Sequence, residues 1–264
     1  MTKPVVPLPI TTDERHSVSS TLTLAVDISG DVVPGACEYV RRRIGAFLRR
    51  VPAQVESAKL KLTVYRKPAV PRPALVQVNL VADGQPVRAQ LTGAFFQEAA
   101  TLLRKRLNEQ LVRLQNPAVP RPWPPPRDEP PSVPRPAGQR EVVRRKQYPL
   151  RTCRPDDAAL TMDLMDYRVH LFVDADTGED AVVYRGGPTG YRLARLAGLS
   201  PPAGTVTTPW VVNVHPVPRL DARAACERLD ALELPFLFFR DAETDRGVVL
   251  YQRYDGHYGL VTAT

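Results

Sequence analysis

The chain has 264 residues, of which 43% are hydrophobic, so it can form two or three small domains and is not a wholly disordered protein. Its net charge of +8 is unevenly distributed: residues 17–115 hold 15 Lys and Arg against 7 Asp and Glu, whereas residues 141–264 hold 15 against 17. A basic module joined to a neutral one is typical of a protein that binds a polyanion.

The N-terminal part of the chain predicts a flexible tail followed by a basic α+β domain. Residues 1–16 contain three prolines and no continuous apolar run, so we expect a flexible tail rather than a secretory signal. Residues 17–115 predict the order β-α-β-β-β-α, one sheet with two helices. The strands are predicted over Thr21–Ser29, Ala58–Tyr65, Leu75–Val81 and Pro86–Leu91, and the helices over residues 34–50 and 94–115.

Arginine dominates the polar face of the first predicted helix, at Arg42, Arg43, Arg49 and Arg50. An unpartnered solvated face is the ordinary explanation of such a charge run. Here the excess is not balanced by nearby acids, and guanidinium groups bind phosphate through paired hydrogen bonds and stack on bases. The composition therefore favours contact with nucleic acid.

Residues 116–140 form a linker, in which ten prolines fall between positions 117 and 136. Such a composition predicts a polyproline II spacer, which at ~3.1 Å per residue reaches roughly 60 Å. The basic domain and the repeats can therefore act at well-separated places on one large target. A role of the P-x-x-P runs as a ligand stays open as an alternative.

The C-terminal region contains a tandem repeat. Residues 149–196 recur as 216–263 at a constant offset of 67, with 11 identical pairs. The pattern predicts two small β-α-β-β-β domains, copy 1 at residues 141–196 and copy 2 at 209–264, joined by a connector at 197–208.

A unit of about 50 residues buries only a marginal core alone, so the two copies are predicted to pack as an intramolecular pseudo-dimer. The most apolar strand positions are the candidates for the pairing interface: Phe172, Val183, Tyr184, Phe238, Phe239, Leu250 and Tyr251.

Catalytic and metal-site patterns are weak throughout the chain. The four histidines lack metal-ligand spacing, and the three cysteines are far apart, as expected in a reducing cytoplasm. The glycine-rich run at 186–190 lacks a following Lys-Ser/Thr and predicts a turn rather than a phosphate loop. No apolar run is long enough for a membrane span. We expect no enzyme activity, no cofactor, no metal and no membrane association, and we expect His170 to be a packing residue.

The sequence resembles the long-form ribosome hibernation promoting factor family. Its N-terminal domain resembles the ribosome-binding domain in element order and in the run Gln77-Val78-Asn79-Leu80 before Gly84. The C-terminal match is more specific and includes Val142-Val143-Arg144-Arg145-Lys146, Pro155-Asp156-Asp157-Ala158-Ala159, Val182-Val183-Tyr184-Arg185 and Gly190-Tyr191. With tandem C-terminal domains, the chain is most similar to the mycobacterial dormancy-associated members.

The resemblance implies a factor that binds the small subunit near the decoding centre and blocks access of mRNA and tRNA. It also implies inhibition of translation and stabilisation of idle 70S ribosomes in the cytoplasm under stress, hypoxia or dormancy. The implied partners are the 30S subunit and the 70S ribosome, through 16S rRNA and small-subunit proteins. The implied rRNA-binding residues are Arg42, Arg43, Arg49, Arg50, Lys59, Lys61, Arg66, Lys67, Arg104, Lys105, Arg144, Arg145 and Lys146.

Single C-terminal domains in this family dimerise and join two ribosomes, whereas this chain carries two such domains. We therefore expect a monomer, one per ribosome, that does not form 100S ribosome dimers. Two alternatives stay open on the sequence alone: a non-ribosomal RNA- or DNA-binding regulator, and an adaptor whose repeats dock proteins.

Overall fold

A computed structural model describes residues 24–65, 72–118, 135–187, 189–204, 207–253 and 255–264. The predictions for the N-terminal tail, for Arg66 and Lys67 and for residues 119–134 of the linker lie outside this described part of the chain.

The N-terminal domain has the predicted order β-α-β-β-β-α. Its elements are β1 (Leu24–Ser29), α1 (Pro34–Leu48), β2 (Val55–Val64), β3 (Ala74–Ala82), β4 (Gln85–Gly93) and α2 (Phe96–Gln115). The strands form one sheet in the order β1-β2-β3-β4, in which β1 and β2 are parallel and the other pairs are antiparallel. The parallel pair follows from the crossover through α1.

Both helices cover one face of this sheet, and the other face is exposed at Lys59 and Lys61 of β2. Along β2 the buried Leu60 and Leu62 alternate with the exposed Lys59 and Lys61, as a strand with one covered face requires. The buried side chains of the helices complete a single core, among them Val40, Ile44, Leu103 and Leu107. The helical polar faces therefore point away from the sheet.

The two C-terminal copies contain the same elements in the same order. Copy 1 has β5 (Val142–Tyr148), β6 (Thr152–Cys153), α3 (Pro155–Leu164), β7 (Val169–Asp174), β8 (Asp180–Tyr184) and β9 (Tyr191–Arg195). Copy 2 has β10 (Trp210–Val212), β11 (Arg219–Leu220), α4 (Ala222–Leu232), β12 (Phe236–Asp241), β13 (Gly247–Gln252) and β14 (Tyr258–Ala263). The sequence did not predict the two-residue strands β6 and β11.

The copies exchange their first strands. β5, which opens copy 1, pairs in parallel with β14 of copy 2, and β10, which opens copy 2, pairs in parallel with β9 of copy 1. The two resulting five-stranded sheets have the orders β10-β9-β8-β7-β6 and β11-β12-β13-β14-β5. Each sheet is thus completed by the other copy, an arrangement that the sequence pattern did not reveal.

The two sheets also pack face to face, which confirms the predicted intramolecular pseudo-dimer. Leu171 and Val182 of copy 1 share one buried cluster with Phe238 and Val249 of copy 2. At its margin the rings of Tyr184 and Phe236 meet edge to face at a centroid separation of 5.2 Å.

The predicted pairing residues divide between this interface and the separate cores. Tyr184 and Phe238 lie in the inter-copy cluster. The structure corrects four of the others, because they face the helix of their own sheet: Phe172 and Val183 in copy 1, Phe239 and Leu250 in copy 2. Tyr251 is half-buried beneath Lys146, whose Nζ lies 5.8 Å from the ring centroid.

A polar contact lies where the pseudo-two-fold relation brings equivalent positions together. Asp180, at an offset of 67 from Gly247, accepts a 2.7 Å hydrogen bond from the Gly247 amide and bonds of 2.8 and 3.0 Å from the Arg246 guanidinium. A Cβ at position 247 would lie 2.6 Å from the Cβ of Asp180. Only one of the two equivalent positions can therefore carry a side chain in this packing.

We predict that Gly247→Ala destabilises the paired copies by about 1–3 kcal/mol, since the added methyl group overpacks a closed interface. Urea unfolding of the full chain measures the change in free energy. Gly138→Ala is the matched control, because a Cβ there would meet nothing within 4 Å. Equal unfolding midpoints for the two variants would contradict the tight contact.

His170, on β7, is a packing residue in copy 1. Its ring stacks between Tyr167 and Phe172 at centroid distances of 6.2 and 6.4 Å, and burial lowers the pKa of His170 to about 4. The equivalent position in copy 2 is Leu237, which is buried in the corresponding core. A neutral ring at position 170 therefore takes the place of an aliphatic side chain.

This packing predicts acid sensitivity. Because the folded pKa is below that of an unfolded histidine, the unfolded state binds the proton first and stability falls as the pH drops below about 6.5. Between pH 7 and pH 5 we expect a loss of about 2 kcal/mol from this group. His170→Leu, which copies the residue of copy 2, should remove that part of the pH dependence in urea titrations. An unchanged dependence in the variant would exclude His170 as its source.

Candidate nucleic-acid interface

The exposed cations of the N-terminal domain lie mainly on its helical surface. Val40, Ile44 and Leu48 are buried at intervals of one turn, which fixes the orientation of α1 and leaves its arginines in solvent. Burial of Leu103 and Leu107 likewise fixes the orientation of α2 and leaves Arg104 and Lys105 in solvent. We call the resulting patch the helical basic surface; it consists of Arg42, Arg43, Arg49, Arg50, Arg104 and Lys105, all of them exposed.

A groove of about 310 Å³ runs between α1 and α2 within this surface. Its charged and aromatic lining consists of Tyr39, Arg42, Arg43, Phe47, Arg50 and Arg104. No carboxylate lines it. Among the described residues, none of these four arginines makes a hydrogen bond or an ion pair, whereas the neighbouring Arg41 is paired with Glu38 at 3.0 Å. The groove thus concentrates positive charge beside two aromatic rings, and only part of that charge lies near the carboxylate of Glu38.

Two predicted contact residues lie on a different surface. Lys59 and Lys61 project from the open face of the sheet, opposite the helices, because the alternation of β2 turns Leu60 and Leu62 inward. Lys59 is also paired with Asp27 at 2.8 Å. The structure therefore does not bring these lysines together with the helical basic surface.

The remaining predicted cations form a third patch on β5, at the edge of the sheet of copy 2. Arg144 and Arg145 are exposed there. Lys146 is half-buried against Tyr251, and desolvation, with smaller contributions from the nearby Arg144 and Arg88, lowers the pKa of its ammonium group. Arg144 and Arg145 are thus the accessible charges of this patch.

The N-terminal domain contacts copy 1 directly, although the predicted spacer is long enough for the two to act at well-separated places. A long linker permits separation but does not impose it. At the contact, Arg113 of α2 lies 2.8 Å from the carboxylate of Asp163, which is 1% exposed. The same carboxylate accepts a 2.7 Å hydrogen bond from Tyr191 and a bond from Arg185.

The docking also supplies hydrogen-bond donors to the carbonyl groups at the C-terminal end of α3. The last carbonyl groups of a helix have no partner within the helix, and the helix dipole makes this end negative. The side-chain amide of Gln110 donates to the carbonyls of Asp163 and Leu164 at 3.1 and 2.9 Å. Arg106 pairs with Asp166 at 2.6 Å just beyond the helix. Polar side chains of α2 thus act as a C-cap supplied by another domain.

Copy 2 repeats this arrangement with a different cation. Asp230, equivalent to Asp163, accepts a bond from Tyr258, equivalent to Tyr191, and pairs with Arg140 at 2.8 Å. Sequence reasoning missed this pair, although Asp and Tyr recur at the offset of 67 in both copies. The recurrence was the available signal, but it does not show that the Arg of copy 1 comes from the N-terminal domain.

Within the described residues, no group of His, Cys, Asp and Glu is arranged to hold a metal ion. None of their helices is both long and apolar enough to cross a bilayer. Burial raises the pKa of Cys153 to about 11, so this thiol stays protonated and is a poor nucleophile at neutral pH.

Comparison with known proteins gives a consistent set of relatives. A family model described as "Sigma 54 modulation/S30EA ribosomal protein C terminus" matches residues 137–193 and 211–260, once in each copy. Proteins named "Dormancy associated translation inhibitor" from two Mycobacterium tuberculosis strains, CDC 1551 / Oshkosh and ATCC 25618 / H37Rv, are 44% identical over 250 residues. That alignment covers 91% of this chain and 88% of each relative.

Further matches are shorter. A "Ribosome hibernation promotion factor" of strain H37Rv is 41% identical over 56 residues, which is 21% of this chain and 26% of that protein. A ribosomal subunit interface protein from Coxiella burnetii aligns with 35% of this chain and 97% of its own, at 15% identity and a TM-score of 0.29. The latter likeness is too weak to add to the sequence relationship.

We predict that Arg113→Ala loosens the docking of the N-terminal domain by up to about 3 kcal/mol, because it removes one partner of a buried ion pair while Arg185 and Tyr191 still contact Asp163. Small-angle scattering of the full chain should show a larger radius of gyration. The exposed Arg41→Ala variant is the control and should leave the scattering unchanged. Identical profiles for both variants would show that Arg113 does not hold the domains together.

Proposed function

The chain belongs to the long-form ribosome hibernation promoting factor family, in its branch with tandem C-terminal domains, and on that premise we propose that it binds idle ribosomes and inhibits their translation. The family relationship rests on 44% identity across 91% of the chain. The structural observation that supports the proposal is the helical basic surface. Within the described residues, its groove arginines make no hydrogen bond or ion pair. The action is placed in the cytoplasm, where ribosomes are.

In this proposal the helical basic surface binds 16S rRNA of the small subunit near the decoding centre and excludes mRNA and tRNA. Unpaired arginines favour this role over a structural one, since a charge already neutralised by a carboxylate gains less from a phosphate. The resulting complex is a stabilised 70S particle in stress or dormancy. Arg144 and Arg145 offer a second, smaller contact from the β5 edge.

We further propose that one molecule binds one ribosome and that 100S dimers do not form. The sheet faces that pair are already buried against each other within one chain. Two molecules could join through these sheet faces only by opening this pair. Two copies of the first domain would then place Asp180 against Asp180. That contact would bring like charges together where a second Cβ would lie 2.6 Å from the first.

The test is sedimentation of purified 70S ribosomes with the full chain through sucrose gradients. Protein that migrates with 70S, without a 100S peak, is the expected result. A 100S peak that depends on the protein would overturn the single-ribosome proposal and keep the family role. Protein that stays at the top of the gradient at low salt would overturn ribosome binding itself.

Charge reversal locates the contact. The double variant Arg42→Glu with Arg43→Glu should weaken 70S binding by more than about tenfold, and the wild-type affinity should fall steeply as salt rises. The control reverses two exposed arginines of α4, Arg223→Glu with Arg228→Glu, which gives the same change of net charge. Equal losses in the two variants would mean that net charge, not the helical basic surface, drives binding.

A further inference from the structure

We propose that the groove between α1 and α2 holds a single unstacked nucleotide of a single-stranded RNA segment, with its base against Tyr39 and Phe47 and its flanking phosphates on the arginines. This inference rests on the proposed function and deepens it, because it assigns to one part of the helical basic surface a contact with a base rather than with phosphates alone.

The charge of the groove selects an anion. Four guanidinium groups border it, no carboxylate does, and the described residues offer these groups no hydrogen bond or ion pair. Holding four like charges close together costs free energy, which a bound phosphate would offset. Guanidinium also recognises phosphate through two parallel hydrogen bonds. An acidic peptide would satisfy this requirement too, so charge alone does not identify the ligand.

The aromatic side chains select a planar group. Tyr39 and Phe47 pack partly against the hydrophobic core, yet both stay partly exposed and line the groove. A carboxylate side chain gains little from an aromatic face, which carries negative charge. A nucleobase stacks on such a face, and arginine planes add to the stack. Phosphate and base together favour a nucleotide over an acidic peptide.

The dimensions favour one nucleotide within a longer strand. About 310 Å³ lies at the lower end of the range for sites of small organic ligands, a size that suits one nucleotide. Arg42 lies six positions, roughly 9 Å at the rise of a helix, before the end of α1 at Leu48, and Arg50 follows that end. That spread exceeds the reach of one phosphate and suits the neighbouring phosphates of a strand.

The experiment separates stacking from charge. Affinities for 70S ribosomes and for a short oligoadenylate RNA are measured over a range of salt for Tyr39→Leu, Phe47→Leu, Arg42→Ala and Arg50→Ala. The control is Phe95→Leu, which changes an aromatic side chain that is 70% exposed and lies outside the groove. Thermal unfolding of each variant confirms that it is folded.

We expect the two leucine variants of the groove to lose about tenfold in affinity with the salt slope unchanged, because a base contact releases no counterions. The arginine variants should lose affinity and show a shallower slope, by about one unit per phosphate contact. Phe95→Leu should match the wild type. An RNA with an abasic nucleotide at each position should bind the wild type as weakly as the intact RNA binds Phe47→Leu.

The proposal fails if Tyr39→Leu and Phe47→Leu match Phe95→Leu with both ligands, whether or not the wild type binds ribosomes. It also fails if a labelled nucleoside triphosphate binds the groove and is lost in Phe47→Leu while both RNA affinities stay unchanged, since the occupant is then a free nucleotide. A wild-type chain that does not bind 70S ribosomes contradicts the proposed function instead, and the oligoadenylate measurements still decide the occupant of the groove.

Discussion

The reciprocal exchange of β5 and β10 is the constraint on which the C-terminal half depends. Each sheet lacks an edge strand unless the other copy supplies it, so neither copy can be removed, rotated or paired elsewhere without breaking a ladder of backbone hydrogen bonds. The face-to-face cluster around Leu171 and Phe238 and the contact of Asp180 with Gly247 form only in the relative orientation that the exchange imposes. That orientation in turn presents α3 to the N-terminal domain.

Sequence periodicity predicted the order of elements well and their partners poorly. Alternation in β2 assigned Leu60 inward and Lys59 outward because one face of that sheet is in solvent. β7 and β12 are apolar on both faces, since one face packs on a helix and the other on the second sheet. The pattern there does not show whether Leu171 or Phe172 faces the second sheet. The predicted interface therefore includes residues from both faces of the strands. The strand exchange was equally hidden, because a sequence shows a strand but not its neighbour.

The candidate site was predictable as a set of charges but not as a geometry. The exposed arginines of α1 follow from its amphipathic pattern. Their separation from Lys59 and Lys61, and the presence of Tyr39 and Phe47 in the same groove as Arg104, depend on how two helices pack on one sheet. Arg113 illustrates the opposite case. It belongs to the same basic helix, yet it is buried against Asp163 and serves the docking of domains.

The exchange also sets an order of events during synthesis of the chain. β9 acquires β10 soon after emerging, because Tyr191 and Trp210 are close in sequence, whereas β5 must wait for β14, whose Tyr258 pairs with Val142. Until β14 is made, the backbone groups of β5 lack the strand partner of the folded protein, and unpaired strand segments are prone to aggregation. The central Arg144, Arg145 and Lys146 of β5 are the kind of residues that keep an unpaired edge from joining another nascent chain.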